Sequence, residues 1–346
     1  MHNKFPTPAL SFLMLFSLIL SGCDAINDLS NQLNNKKENK TGESVAQYSG
    51  LNTAVLITSE NGKNVINTGL GAQSSSSTLY SLLSAASVQK VSDDKPLPVR
   101  ESVQQIARII AALQDGFTVQ EANFTGAELT VNGSCGGTFN ASGGQTDSLI
   151  SFNNYCDTGS RTTLGITLNG SVNHKRDTDP ETGTTRNELQ IDQLSLTGRL
   201  PGYTDDENLT VTGTLIITHG PQESSALMNF VLLDNISQQQ VKYENYTIKT
   251  VREFNPVYGA WFPNTTLNGR VYTASIGYID IVTDEPLLVD PDGGVPYSVQ
   301  ITIKGAQASF ATLRITGSDT YTLQINQDEP SAGLLTEIEG LRNLIV

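Results

Sequence analysis

The chain has 346 residues, room for one large domain or two, with 35 acidic against 21 basic side chains and a formal net charge of −14. So acidic a body repels phosphate backbones and anionic headgroups, which excludes nucleic acid as a natural partner. Three cysteines and three histidines leave little material for a dedicated metal centre.

The first residues, Met1-His2-Asn3-Lys4, are basic, Ala9 to Leu20 are almost wholly apolar, and Leu20-Ser21-Gly22-Cys23 follows. A short apolar run behind a basic start, with small residues before the break, reads as an export signal too short for a comfortable membrane span. The tetrad resembles the lipobox of bacterial lipoproteins, a resemblance confined to the first two dozen residues. It implies cleavage before Cys23, diacylglycerol on the Cys23 sulfur and a fatty acyl group on the new amino terminus. Buried methylenes contribute about 0.8 kcal/mol each, so several acyl chains anchor a protein without any transmembrane helix. The implied location is the bacterial cell envelope, with the folded part outside the cytoplasm. Asp24 resembles the inner-membrane retention signal of enteric bacteria, while other lineages read other positions, so inner and outer membrane both stay open.

With Cys23 lipidated, Cys135 and Cys156 are left to oxidise in the exported compartment. The alternatives are two buried thiols or a metal pair. Residues 24–47 are too polar to bury a core and read as a flexible tether, with a short helix as the alternative. Leu51 to Ser59, Asn61-Gly62 and Lys63 to Leu70 read as a β-hairpin, because Asn-Gly suits a type I′ turn. Thr78 to Gln89 and Val99 to Gln114 carry apolar residues at helical spacing, the second with Val103, Ile106, Ile110 and Leu113 on one face and a stop at Gly116. That stripe is expected to pack on a sheet.

Strand signals dominate from Phe117 onward. Leu209, Val211, Leu215 and Ile217 alternate with threonines, and Val299, Ile301, Ile303 and Tyr321, Leu323, Ile325 repeat the pattern. Such alternation belongs to antiparallel sheets, since parallel strands buried on both faces lose it and need crossover helices. A motif of apolar, any, apolar, Asn or Thr, Gly recurs irregularly, at Leu129–Gly133, Ile166–Gly170, Leu194–Gly198, Leu209–Gly213 and Leu313–Gly317, and Thr265–Gly269 keeps its Leu-Asn-Gly end. Irregular spacing argues against a solenoid and for strands that each carry a glycine where the sheet bends, bulges or turns.

The stretch Leu129 to Val172 organises the strands around it. The polar, glycine-rich Ser142 to Asp147 reads as a hairpin loop, and a register with Cys135 facing Cys156 sets Phe139 opposite Phe152. By even spacing, both rings are then expected on the disulfide's face. The Cys-Gly-Gly and Asn-Asn-Tyr-Cys elements here are similar to ones in uncharacterised exported bacterial proteins, a resemblance that implies no activity.

Chemistry-bearing motifs are scarce. His174 and His219 both read as solvated loop residues, and no nucleophile elbow, zinc-protease helix or phosphate loop occurs. Asp177-Thr-Asp179, Asp205-Asp206-Glu207 and Asp290-Pro-Asp292 lack the spacing of a calcium loop and read as turns. The aromatic stretch Phe254 to Pro263, containing Trp261, reads as a core corner braced by prolines; exposed, it would stack on sugars or grip an apolar partner.

Together these readings predict a mainly-β chain: a large antiparallel meander forming a curved sheet or incomplete barrel, with one or two helices near residues 78–114. The expected segments are a signal peptide (1–22), lipidated Cys23 with its tether (23–47), a hairpin plus helices (48–117), the β domain (118–330) and a C-terminal tail (331–346). The expected function is a non-enzymatic structural or binding module of the envelope, with no catalytic, cofactor or metal residues. Its partners are the membrane through the anchor and an envelope protein, glycan or lipid. A carrier of a lipid or other apolar ligand in a curved-sheet cavity is the alternative. A carbohydrate-active enzyme, with carboxylates brought together from distant strands, comes third.

Overall fold

The computed structural model describes residues 48–70, 129–144, 146–156, 166–199, 206–236, 238–255, 260–289, 296–315 and 320–335. The lipobox, the tether and the helices expected at 78–114 lie outside the described residues.

Among the described residues, period-two alternation is expressed as fourteen strands: β1 (Leu129–Asn132), β2 (Gly136–Gly143), β3 (Asp147–Cys156), β4 (Ile166–Thr178), β5 (Thr185–Arg199), β6 (Asp206–His219) and β7 (Glu223–Asp234). Then follow β8 (Gln240–Asn255), β9 (Ala260–Thr273), β10 (Gly277–Val289), β11 (Pro296–Lys304), β12 (Phe310–Ile315), β13 (Thr320–Ile325) and β14 (Ser331–Leu334). They form a single sheet in the order β1 to β14, each strand antiparallel to its sequence neighbours. Among the described residues β1 and β14 are its two edges, and the meander is not closed into a complete barrel. The last strand carries the sheet past the limit expected at residue 330 and takes Ser331–Leu334 out of the expected tail.

One face supplies a single apolar core running from Phe139 on β2 to Leu323 on β13. Side chains from so many strands share one interior only where the sheet curls around them. The curl is built at bulges. Between Phe152 and Tyr155 on β3, and between Glu244 and Thr247 on β8, the register slips against the next strand. Asn154 and Asn245 occupy the left-handed region at those slips, with φ of 47° and 49°. Each bulge lets two nearby residues face inward, Phe152 with Tyr155 and Tyr243 with Tyr246, which strict alternation forbids.

The recurring glycine motif falls on the same bends. Gly170, Gly213 and Gly269 have φ of 128°, 136° and 135°. A Cβ on Gly170 would collide with the Gln193 carbonyl of β5, and one on Gly269 with the Asn245–Tyr246 backbone of β8. Only glycine allows that conformation and that approach together.

The segment expected as a hairpin is instead an extended strap followed by helix α1 (Gly62–Leu70). Asn61 drives the difference. Its Oδ1 accepts from the Thr58 N–H at 2.8 Å and its carbonyl accepts the first helical bond, from the Val65 N–H at 2.9 Å, as an N-cap residue does. Gly62 serves not a turn but a close approach, since a Cβ there would meet the Ile325 side chain, which would have to move. Val65 and Ile66 of α1 are buried in the core.

The strap crosses one end of the sheet. The Ser49 N–H and hydroxyl donate to Gln240 Oε1, the Tyr278 N–H donates to the Thr53 carbonyl at 2.9 Å, and the Ala306 N–H donates to the Val55 carbonyl at 2.7 Å. The Ile57 N–H then donates to Ser309 Oγ, and Asn326 Nδ2 donates to the Ile57 carbonyl. We call this the entry end. The opposite, rim end carries the β2–β3, β4–β5, β6–β7 and β8–β9 connections. At about 3.4 Å per residue the 16 residues of β8 separate the two by roughly 50 Å.

Candidate functional site

Cys135 and Cys156 are joined in a disulfide with Cα atoms 5.2 Å apart, at the entry end where β2 begins and β3 ends. Phe139 pairs with Phe152, as the sequence predicts. The shared face does not hold. Gly136, not Cys135, pairs with Cys156, and the register slips between Gly136 and Thr138 because β3 uses one extra residue there. That odd step turns the disulfide outward, with Cys135 exposed, while Phe139, Phe152 and Tyr155 stay buried, their rings 5.7 to 6.3 Å apart. The bridge staples the sheet from outside and the aromatic trio packs it from inside. Cys23 lies outside the described residues.

The two histidines among the described residues are both on the rim half of the core-facing side, and one corrects the sequence reading. His174 is not a loop residue: it sits in β4, in step with Leu168 and Val172, and is only 4% exposed. Its Nδ1 lies 3.4 Å from Ser148 Oγ on β3, the register partner of His174, and its Nε2 lies 3.1 Å from Asn187 Oδ1 on β5. An amide oxygen only accepts, so Nε2 carries the proton and Nδ1 presents a lone pair to the serine hydroxyl. Burial holds the imidazole pKa below its usual 6.5; the Asn187 bond and Asp147 pull it up, and Arg176 adds to the lowering. The ring is therefore neutral at neutral pH. The signal was present in the sequence: His174 continues the alternation of Leu168 and Val172, and the charged residues beside it masked that step. His219, at the end of β6, is exposed as expected, with Nδ1 3.0 Å from Ser224 Oγ.

The convex side of β8, β9 and β10 carries a cluster that the sequence reading missed. The register sets Lys242, Tyr272 and Tyr278 in one row and Glu244 opposite Arg270 in the next, with Asp280 beyond. Arg270 donates to Asp280 through Nε at 2.6 Å and Nη2 at 2.9 Å, and Lys242 Nζ and the Tyr272 hydroxyl donate to Glu244 at 2.8 and 2.6 Å. Burial raises the Glu244 carboxyl, but these bonds and the Lys242 and Arg270 charges outweigh it and hold its pKa below the usual value. Arg270 lies over the Tyr278 ring at 4.1 Å, and Tyr48 of the strap packs on Tyr272 at 5.5 Å. Burial and the neighbouring Tyr272 push the Tyr48 hydroxyl up to about 12. Every charge is matched within the cluster, which latches the strap to the sheet.

Of the aromatic stretch expected as a core corner, Phe254 is the residue whose side chain is described, and that of Trp261 lies outside the description. Phe254 is 51% exposed at the rim end of β8, with Trp261 as its register partner on β9. The last β7 pair on this hairpin is Glu223 with Val251, and the last β10 pair is Leu288 with Asn264. Of the acidic stretches, Asp179 is a turn former. Its carboxylate accepts from the Thr182 hydroxyl at 2.7 Å and the Glu181 N–H at 2.9 Å, and these bonds hold its pKa low. Among the described residues no three His, Cys, Asp or Glu side chains are grouped to hold a metal ion, and no helix is long and apolar enough to cross a membrane.

No family model matches this sequence, and no curated protein and no solved structure is detectably similar to it.

Proposed function

We propose that the chain is an exported bacterial lipoprotein whose β-rich body serves as a structural or binding module of the cell envelope. The observation that carries the reading is the Cys135–Cys156 bridge, because a stapled pair belongs to an oxidising compartment and leaves Cys23 of the lipobox-like tetrad as the remaining cysteine. The acyl chains on Cys23 then hold the protein to a membrane, and residues 24–47 form the tether.

The strap supports an orientation as well. The chain enters the sheet at Tyr48, on the entry end, and β8 carries the rim end roughly 50 Å beyond it. With the chain entering at Tyr48, the rim end is the end opposite the point where the preceding residues join the sheet. It is the end that meets an envelope protein, glycan or lipid. Metabolic palmitate labelling tests the anchor. Label should enter the wild-type protein and be absent from Cys23→Ser, which should move to the soluble fraction. An unlabelled wild-type protein contradicts the reading.

A further inference from the structure

Exposed aliphatic side chains gather at the entry end, and the inference drawn from them rests on the acylated Cys23 proposed for this chain. Leu51 and Leu56 of the strap are 47% and 48% exposed, and Ile236 of the β7–β8 turn is 65% exposed. Leu56 points outward because Val55 and Ile57 on either side of it are buried in the core. Ile236 is held out by its turn. Its N–H donates to Asp234 Oδ1 at 2.9 Å, Gln238 Nε2 donates to the Asn235 carbonyl at 2.8 Å, and Asn235 Nδ2 donates to Asn208 Oδ1 at 2.8 Å. Such turns ordinarily present Gly, Asn, Asp or Ser. The same turn leads into Gln240, whose Oε1 accepts from the Ser49 N–H at 2.7 Å, and Leu51 follows two residues on. At the rim, by contrast, the exposed Leu149 on β3 and Phe254 on β8 stand five strand spacings apart, roughly 24 Å.

Single exposed apolar side chains need no explanation, but a group of them on one end marks a contact surface. Its occupant follows from where the chain comes in. Residues 24–47 separate Cys23 from Tyr48, so acyl chains on that cysteine bring a lipid surface to this end of the sheet. A second contact with a surface already tethered is intramolecular and needs little affinity of its own. Glu60, Asp328 and Glu329 are exposed at this end against Lys304, which disfavours anionic headgroups. We infer that the entry end rests on the lipid surface that holds the acyl chains, with Leu51, Leu56 and Ile236 seated among zwitterionic headgroups and the first acyl carbons. Binding of this kind scales with the apolar area seated and with attraction to the headgroups. Three aliphatic residues without a basic patch therefore dock the tethered protein and not the free one.

The test uses the full-length protein in phosphatidylcholine vesicles whose acyl chains carry a photoactivated diazirine, with acylation of Cys23 first read from the intact mass. After irradiation, digestion and mass spectrometry, lipid adducts should be about tenfold more frequent on the peptides containing Leu51, Leu56 and Ile236 than on those containing Leu149 and Phe254. Leu56→Glu with Ile236→Glu changes two exposed positions, and should remove the adduct at Leu51 while the acyl chains and the far-ultraviolet spectrum are kept. Phosphatidylglycerol in place of phosphatidylcholine should lower the yield at all three residues, and a yield that does not fall overturns the assignment to a zwitterionic surface. Acylated protein with no excess of adducts at the entry end, or with a Leu51 yield that the double substitution leaves unchanged, overturns the inference and leaves the anchor standing. Wild-type protein that carries no acyl chain removes both. Concentration-dependent protection of the same peptides from hydrogen exchange in soluble Cys23→Ser protein would give this face to a second copy and overturns the inference as well.

Discussion

Removing one hydroxyl should have opposite effects at two tyrosines of this sheet. Tyr243 is fully buried between Phe230 and Tyr246, with ring centroids 5.1 and 5.4 Å away, and its hydroxyl is buried without a hydrogen-bond partner. Burial alone accounts for most of the large rise in its pKa, and Tyr246 adds to it. An unsatisfied buried hydroxyl costs about 1 to 3 kcal/mol, and Tyr243→Phe removes it while keeping the ring, so this variant should be more stable by about 1 kcal/mol. Tyr272 is also buried, but its hydroxyl donates to the Glu244 carboxylate at 2.6 Å. A bond to a charged acceptor contributes about 1.5 to 3 kcal/mol, less where the carboxylate is partly solvated as Glu244 is, so Tyr272→Phe should lose about 1 kcal/mol. Urea unfolding at fixed pH reads both as shifts of midpoint at constant m-value. A Tyr243→Phe variant destabilised by more than about 0.5 kcal/mol would show that the hydroxyl has a partner and would refute the reasoning.

Three further outcomes follow from the same geometry. Because the His174 pKa is lower folded than unfolded, the unfolded chain binds the extra proton first. Stability should be fully present above about pH 6.5, decline as pH falls below it and level off below the folded pKa, and His174→Gln should flatten that decline in urea titrations between pH 7.5 and 5. Reducing the disulfide, or Cys135→Ser with Cys156→Ser, opens a loop of 21 residues and should cost about 3 kcal/mol by chemical denaturation, without disturbing the inward aromatic trio in near-ultraviolet dichroism. Gly170→Ala places a Cβ against the Gln193 carbonyl at a φ that only glycine adopts readily, and a thermal melt should show a loss of about 3 kcal/mol; unchanged stability would remove the bend from the account.

The antiparallel meander was legible because polar and apolar residues alternate through strands such as Leu209–Ile217 and Val299–Ile303, and because the sequence after Gly116 carries no pattern for crossover helices. The pairing of Phe139 with Phe152 was legible for the same reason. What alternation does not encode is a change of step. Asn154 and Asn245 in the left-handed region each insert one residue, and from that point the inward set is reversed, which is why the disulfide and the phenylalanines ended on opposite faces. Asn61-Gly62 failed for a different cause. The dipeptide suits a hairpin locally, but the Asn61 side chain satisfies Thr58 and Leu56 backbone groups while Gly62 lets the helix approach Ile325, and these tertiary contacts decide the outcome. The Lys242, Glu244, Arg270 and Asp280 cluster was invisible because its members are brought together only by the register of three strands. His174 was missed because lysine and arginine follow it, although its step with Leu168 and Val172 placed it inside.

The central claim is an acylated Cys23 in front of a disulfide-stapled sheet, and the mass of the N-terminal peptide of protein extracted from membranes tests it most directly. The account predicts a peptide that begins at Cys23 and carries a diacylglycerol and an amide-linked acyl chain. A peptide that begins at Met1, or one that begins elsewhere with an unmodified Cys23, contradicts it.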